Sequence, residues 1–314
     1  MINSPICEQL GIKFPIFQGG MAHISDGHLA AAVSEAGGLG IISAMNSDVE
    51  YVRNQIKIAK SKTLKPFGVN VMLMSPHADA VAEMLCEERI PVVTTGAGNP
   101  SKYMEKWNAA GIKVIPVVGS VSMAKLSERA GAFAIIAEGG ESGGHVGDMT
   151  TMALVPQVCK AVKVPVIAAG GIGNGHGVAA AFMLGAVGVQ LGTRFLVAKE
   201  CNVHRNYKNK ILNASDISTI VTGKRLGHPV RSIKTPFSRN YAKAEYSQIS
   251  DDELEALAVG ALRLAATEGD EKKGCFLAGQ ISGMIDKEQT AAEIIEEIFE
   301  EAENILKEAS KWVK

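Results

Sequence analysis

The stretch Val164-Pro165-Val166-Ile167-Ala168-Ala169-Gly170-Gly171-Ile172-Gly173-Asn174-Gly175, followed after a helical pattern by Gly188-Val189-Gln190-Leu191-Gly192-Thr193, decides the fold. It contains two short runs apolar on both faces, each ending in glycine, with a helix-compatible segment opened by Asn174 between them. Strands of a parallel sheet covered by helices read this way. The same unit recurs back to the N-terminus, with apolar runs at 14–18, 40–43, 68–73, 92–95, 114–118, 133–138, 164–169 and 188–191. Helix-compatible segments begin near Ser25, Asp48, His77, Ser101, Ser122, Thr151 and Asn174, several at a residue able to cap a helix. The repeated unit predicts an α/β chain, a (β/α)8 TIM barrel over residues 1–198, with every strand C-terminus at one end. A doubly wound open sheet is the alternative.

Past the eighth run the pattern breaks. Residues 199–285 are expected to form an accessory cap over the barrel mouth: polar and irregular over 200–250, one helix over 251–267, small and apolar again over 274–285. In 286–314, Ile294, Ile298, Ala302 and Ile305 share one helical face beside Ile295, Phe299 and Leu306, which predicts a C-terminal helix packed on the barrel.

Composition removes several classes. The 314 residues carry 32 basic and 33 acidic side chains and are 46% hydrophobic, a globular balance with no bulk attraction for nucleic acid. No apolar run is long enough to span a membrane, and Met-Ile-Asn-Ser-Pro does not open like a secretory signal, so a cytoplasmic protein is expected. Five scattered cysteines lack the paired spacing of a zinc site or a disulfide framework, so no metal site is expected. Charge is polarised late in the chain: residues 201–244 carry nine Lys or Arg against Asp216 alone.

In this fold chemistry belongs to the loops after strand C-termini. Those positions carry Gln18-Gly19-Gly20-Met21-Ala22, Ser43-Ala44-Met45-Asn46, Asn70 and Thr94-Thr95-Gly96. After the sixth run comes Glu138-Gly139-Gly140-Glu141-Ser142-Gly143-Gly144-His145-Val146-Gly147, glycine-dense around two carboxylates and a histidine suited to proton transfer. Ala169-Gly170-Gly171 and Gln190-Leu191-Gly192-Thr193-Arg194 close the series and suit a phosphate held by main-chain N–H groups. Gly175, Gly177 and Ala180 match a dinucleotide-binding spacing, but they fall inside a helix and carry no such function.

As a combination these segments, with Phe276-Leu277-Ala278-Gly279-Gln280 in the returning stretch, resemble the nitronate monooxygenase (2-nitropropane dioxygenase) superfamily. Within it the chain is most similar to the branch of FMN-dependent enoyl-[acyl-carrier-protein] reductases II. The resemblance implies an FMN enzyme that reduces the trans-2 double bond of an enoyl thioester on acyl carrier protein with NADH or NADPH, in bacterial fatty-acid elongation. Flavin N5 would pass hydride to the β-carbon. Carried onto matching positions, Gly19, Gly20, Met21, Ala22, Asn46, Asn70 and Thr94 would line the isoalloxazine and ribityl chain, with Glu138, Gly143, Gly144, Ala169 and Gln190 nearby. Gly170, Gly171, Gly192 and Thr193 would hold the phosphate, and His145 would be the proton donor or would position the thioester carbonyl. A homodimer is usual in the family. Activation by a monovalent cation, known in related reductases, leaves no ligand motif here. The alternative reading is a nitronate monooxygenase, with FMN reoxidised by oxygen; a flavin-free isomerase or lyase barrel and a non-catalytic flavin carrier are more distant.

Overall fold

The structure is a computed structural model and describes residues 2–313. Eight parallel strands alternate with helices: β1 (Ile16–Gln18), β2 (Gly40–Ser43), β3 (Phe67–Met72), β4 (Val92–Gly96), β5 (Lys113–Val118), β6 (Ile135–Glu138), β8 (Val166–Ala169) and β9 (Gly188–Leu191). A two-residue strand, β7 (Gly144–His145), lies in the connection between β6 and β8 and pairs elsewhere. The sheet order β1-β9-β8-β6-β5-β4-β3-β2 is closed where Leu39 N donates to Ile16 O at 2.8 Å and Gln18 N to Leu39 O at 2.9 Å. The expected TIM barrel is therefore what forms.

Around it lie α2 (Gly27–Glu35), α3 (Val49–Lys62), α4 (Ala78–Glu87), α5 (Ser101–Ala109), α6 (Val121–Arg129), α7 (Thr151–Ala161), α8 (Gly175–Met183) and the short α9 (Thr193–Leu196). Side-chain caps set several starts: Asp26 accepts from Leu29 N, Asp48 from Tyr51 N and Asn174 from Gly177 N. Strands β1 and β8 start two residues later than the apolar runs suggest, immediately after Pro15 and Pro165, which lack the N–H that a ladder requires. Phe14, left outside the sheet, packs its ring against Phe299 at 5.1 Å.

Two cores follow from the strand alternation. Val69, Val71, Val93, Ile135, Ala137, Val166, Ala168, Val189 and Leu191 face the helices, whereas Phe17, Ile41, Val92, Ile115, Ile136, Ile167 and Ala169 fill the barrel. The inner core is continued by Ile6 and Leu10 of α1 (Pro5–Leu10) and by Ile12. This N-terminal helix was not foreseen. It ends at Gly11, in a left-handed turn, and packs the inner core at the opposite end from the functional loops.

The accessory segment is more regular than its polarity suggested. In place of irregular chain, 200–250 forms α10 (Arg205–Leu212), an antiparallel hairpin of β10 (Thr219–Thr222) and β11 (Val230–Ile233), and α11 (Pro236–Glu245). Its charges hid the pattern because many are structural: Arg205 and Lys208 both pair with Glu288, Lys210 with Glu271 and Arg225 with Asp251. The single helix expected over 251–267 is broken. Here α12 (Asp251–Ala258) stops at an extended Val259 and a left-handed Gly260, and α13 (Ala261–Arg263) runs into a wider π turn, Leu264–Glu268.

The closing helix α14 (Ala291–Glu308) starts in a capping box formed by Thr290 and Glu293. It buries Ile294, Ile295, Ile298, Phe299 and Ala302 and packs against α8 and α2. Each fully buried large apolar side chain contributes about 1.5–3 kcal/mol, so this helix belongs to the barrel's stability. No helix among the described residues is long and apolar enough to cross a membrane.

Candidate active site

Alternation along the strands delivers four polar side chains to one inner layer. With Val69, Val71, Val93, Ala137, Val189 and Leu191 facing the helices, Asn70 of β3, Thr94 of β4, Glu138 of β6 and Gln190 of β9 turn inward, toward the C-terminal end of the barrel. Thr94 is buried, and its hydroxyl donates to Asn70 Oδ1 at 2.9 Å. Asn70 thereby keeps its Nδ2 for the mouth. Thr94, expected as a cofactor contact, orients Asn70.

The first glycine loop lies directly on this floor. A Cβ at Gly20 would fall 2.4 Å from Asn70 Cβ, and one at Gly19 would meet the Gln190 side chain at 3.3 Å. The loop is tied from below by the buried Gln18, whose Nε2 donates to Ser25 Oγ at 2.8 Å and whose Oε1 accepts from Ile41 N at 3.2 Å. Ser25 Oγ in turn accepts from Met21 N at 2.8 Å. Met21 faces Gly192, where an added Cβ would meet only its side chain, at 3.7 Å. Ala22 follows in the same loop, and Asn46 is exposed on the loop after β2 with no side-chain hydrogen bond among the described residues.

Strands β8 and β9 are neighbours, and their ends bring several main-chain amides close together. Beyond the buried Ala169, Gly170 and Gly171 adopt φ of +86° and +71°, conformations that L side chains rarely take. The amides of Gly170, Gly171, Gly192 and Thr193 donate to no acceptor among the described residues. Gly192 is also the N-cap of α9. Backbone donors at a helix start are the chemistry that binds phosphate. Thr193 Oγ1 accepts from Gly279 N at 2.9 Å, which leaves its own proton for a ligand. Arg194 takes no part: it is buried and reaches instead toward Lys287 O and Gln289.

The loop after β6 is pinned from two sides. Glu141 accepts from Thr151 N at 2.9 Å and from its hydroxyl at 3.0 Å, capping α7, while Gln280 N donates to Glu141 O at 2.9 Å. Gly143 rests on the returning segment, where a Cβ would lie 2.6 Å from Ala278. Burial pushes the Glu138 carboxyl up to about 7, against a smaller downward pull from the Ser142 hydroxyl. Gly144 and His145 then leave the barrel as β7 and pair with β11, His145 opposite Val230 and Gly144 opposite Arg231. The Arg231 guanidinium secures that junction through Gly140 O, at 2.9 Å from Nη2.

His145 is exposed at the seam between barrel and accessory hairpin. Its imidazole is held below the usual histidine range, first by partial removal from water and then by the nearby His228. His23, in the first glycine loop, is lowered in the same direction by burial and by Arg263 of α13. His23 and His228 belong to no motif that flags them in the sequence. The neighbours of His145 and His23 come from the accessory segment, far along the chain. Ser25 was missed as the hub of the first loop, as was Tyr207, whose hydroxyl holds Leu277 O at 2.7 Å; neither belongs to a glycine motif that would flag it.

The family model described as nitronate monooxygenase matches residues 3–84 and 77–301. The chain is similar to a solved structure of FabK from Thermotoga maritima, at 48% identity, with 100% of each chain covered and a TM-score of 0.97. It is 31% identical to an octahydroindene carboxyl-CoA dehydrogenase of Rhodococcus jostii, covering 96% of each chain. A probable nitronate monooxygenase of Staphylococcus aureus is also 31% identical, over 88% of this chain and 90% of that one. This barrel, with its glycine-lined mouth, belongs to the nitronate monooxygenase family of oxidoreductases.

Proposed function

We propose that the protein reduces trans-2-enoyl groups on acyl carrier protein with NADH or NADPH, using FMN, as the cytoplasmic enoyl reductase of fatty-acid elongation. The observation that carries the flavin is the set of four amides, Gly170, Gly171, Gly192 and Thr193, that are unpaired among the described residues, beside a polar floor that glycine loops approach without side chains. A single phosphate on a flat ring system fits those donors. The reductase is favoured over the monooxygenase by the 48% identity to FabK over the whole chain, against 31% to a probable nitronate monooxygenase.

When bound, FMN supplies the hydride chemistry between nicotinamide and enoyl thioester. The chain's residues do the rest. Gly170, Gly171, Gly192 and Thr193 would hold the phosphate, and Gly19, Gly20, Met21, Ala22 and Asn46 would line the ring and ribityl chain. Asn70 would offer Nδ2 as a donor, with its Oδ1 fixed by Thr94. Glu138, Gln190, Ala169, Gly143 and Gly144 would complete the wall. His145, its pKa lowered, is neutral at physiological pH and can offer an N–H to the thioester carbonyl. Charge developing on that carbonyl would be stabilised by this hydrogen bond. The accessory segment, anchored by Arg231, would keep water from the reacting carbons. A homodimer is part of the same reading.

The test is an anaerobic visible spectrum of the purified protein, titrated with NADH or NADPH and then with crotonyl thioester on acyl carrier protein. Bleaching by a nicotinamide nucleotide and recovery on adding the thioester are expected. A yellow protein bleached only by a nitronate would establish the monooxygenase instead.

A further inference from the structure

Of the nine cations in residues 201–244, five are engaged inside the protein. Arg205, Lys208, Lys210 and Arg225 pair with carboxylates, and Arg231 holds Gly140 O. Lys224, Lys234, Arg239 and Lys243 are exposed and make no ion pair among the described residues. Two of those four, Lys234 and Arg239, line one cavity of about 620 Å3 together with Lys210. Since Lys210 is matched by Glu271 in the same wall, two positive charges remain uncompensated there.

The rest of the lining suits an organic phosphate. Asn209 and Ser215 offer polar groups, and Ile217 and Ile233 provide an apolar side for the carbon skeleton that a bare ion would lack. One strand links the cavity wall to the mouth. β11 runs from Val230, which pairs with His145, to Ile233 in the cavity wall, about 10 Å at the rise of a β-strand.

The geometry points to this cavity as a second phosphate site, distinct from the cradle at β8 and β9, which seats the phosphorylated end of a substrate whose reactive end lies at His145. Lys234 and Arg239 supply the charge-assisted bonds. The identity of the ligand rests on the reductase reading; the binding itself does not. Both substrates of that reaction carry phosphate remote from their reacting atoms, the nucleotide in NADH or NADPH and the phosphopantetheine arm in the enoyl thioester.

Calorimetric titration of the flavin-loaded protein with pantetheine 4′-phosphate and with adenosine 2′,5′-bisphosphate separates the two sources, with pantetheine and adenosine as phosphate-free controls. One phosphorylated probe is expected to bind about tenfold or more tightly than its control. K234Q/R239Q should weaken it by a similar factor. K224Q/K243Q, which removes as much charge outside the cavity, should leave it unchanged, and K234R should retain binding. No binding of either probe, or equal binding by K234Q/R239Q and the parent protein, would overturn the site. Binding that K234Q/R239Q weakens in a protein unable to reduce enoyl thioesters would keep the site and remove the reductase reading.

Discussion

Gly20→Ala tests the floor of the site at its tightest point. The new methyl would stand 2.4 Å from Asn70 Cβ and 3.0 Å from its Cγ, about 1 Å and about 0.5 Å inside the roughly 3.5 Å at which carbon atoms meet comfortably. The glycine loop cannot retreat easily, because Gly19 N is bonded to Leu191 O at 3.0 Å and Met21 N to Ser25 Oγ at 2.8 Å. Asn70 must move instead, giving up its bond from Thr94. Overpacking of this kind costs about 1–3 kcal/mol and the lost hydrogen bond about 1 kcal/mol, so a destabilisation of roughly 2–4 kcal/mol is expected. Where that strain falls on the flavin-bound state, FMN affinity drops by about 1.5 to 3 orders of magnitude. Urea unfolding of the apoprotein reads the first effect, and fluorimetric FMN titration reads the second. The double variant G20A/N70G, which removes the clash, should recover most of the stability while FMN binding stays weak. A Gly20→Ala protein with parental stability and parental FMN affinity would refute the placement of Asn70 beneath the loop.

On the proposed function His145→Ala should keep FMN, because main-chain amides would hold its phosphate, yet lose most enoyl reduction in a stopped-flow assay of flavin reoxidation; loss of the yellow colour would make His145 structural. Gly171→Val forces a β-branched residue into φ of +71° and against Glu141, 3.3 Å from the new Cβ, at about 1–2 kcal/mol for the left-handed backbone alone. It should purify colourless, and full flavination would place the phosphate elsewhere. Glu138 makes a pH prediction: with its carboxyl raised from 4.5 to about 7 by burial, the folded state binds the extra proton between those values. The stability cost of ionising it therefore grows as pH rises from about 4.5 to 7 and is constant above, up to about 3 kcal/mol. Glu138→Gln should accordingly gain stability relative to the parent at pH 8 and not at pH 4, as read by urea unfolding; a gain independent of pH would show that the carboxyl is not raised.

The barrel was legible because its signal is local and repeated. Eight apolar runs, glycine at their ends and capping residues such as Asp48 and Asn174 report hydrogen-bonding and burial needs that each unit must meet by itself. Gly170 and Gly171 were readable for the same reason, since a backbone that turns left-handed needs glycine whatever its surroundings. Polar sequence over 200–250 misled because charges at Lys208, Arg225 and Arg231 look solvated in a linear reading. Their partners at Glu288, Asp251 and Gly140 are supplied only by the folded chain. Thr94 as the support of Asn70, His228 beside His145 and the seating of Gly143 on Ala278 are likewise products of packing. Periodicity and turn chemistry thus determine from sequence alone that the chain is a barrel and which of its ends gathers the glycine-rich loops. Which side chains meet there, with what charge and support, depends on distances between residues remote in sequence, and only the tertiary structure sets those.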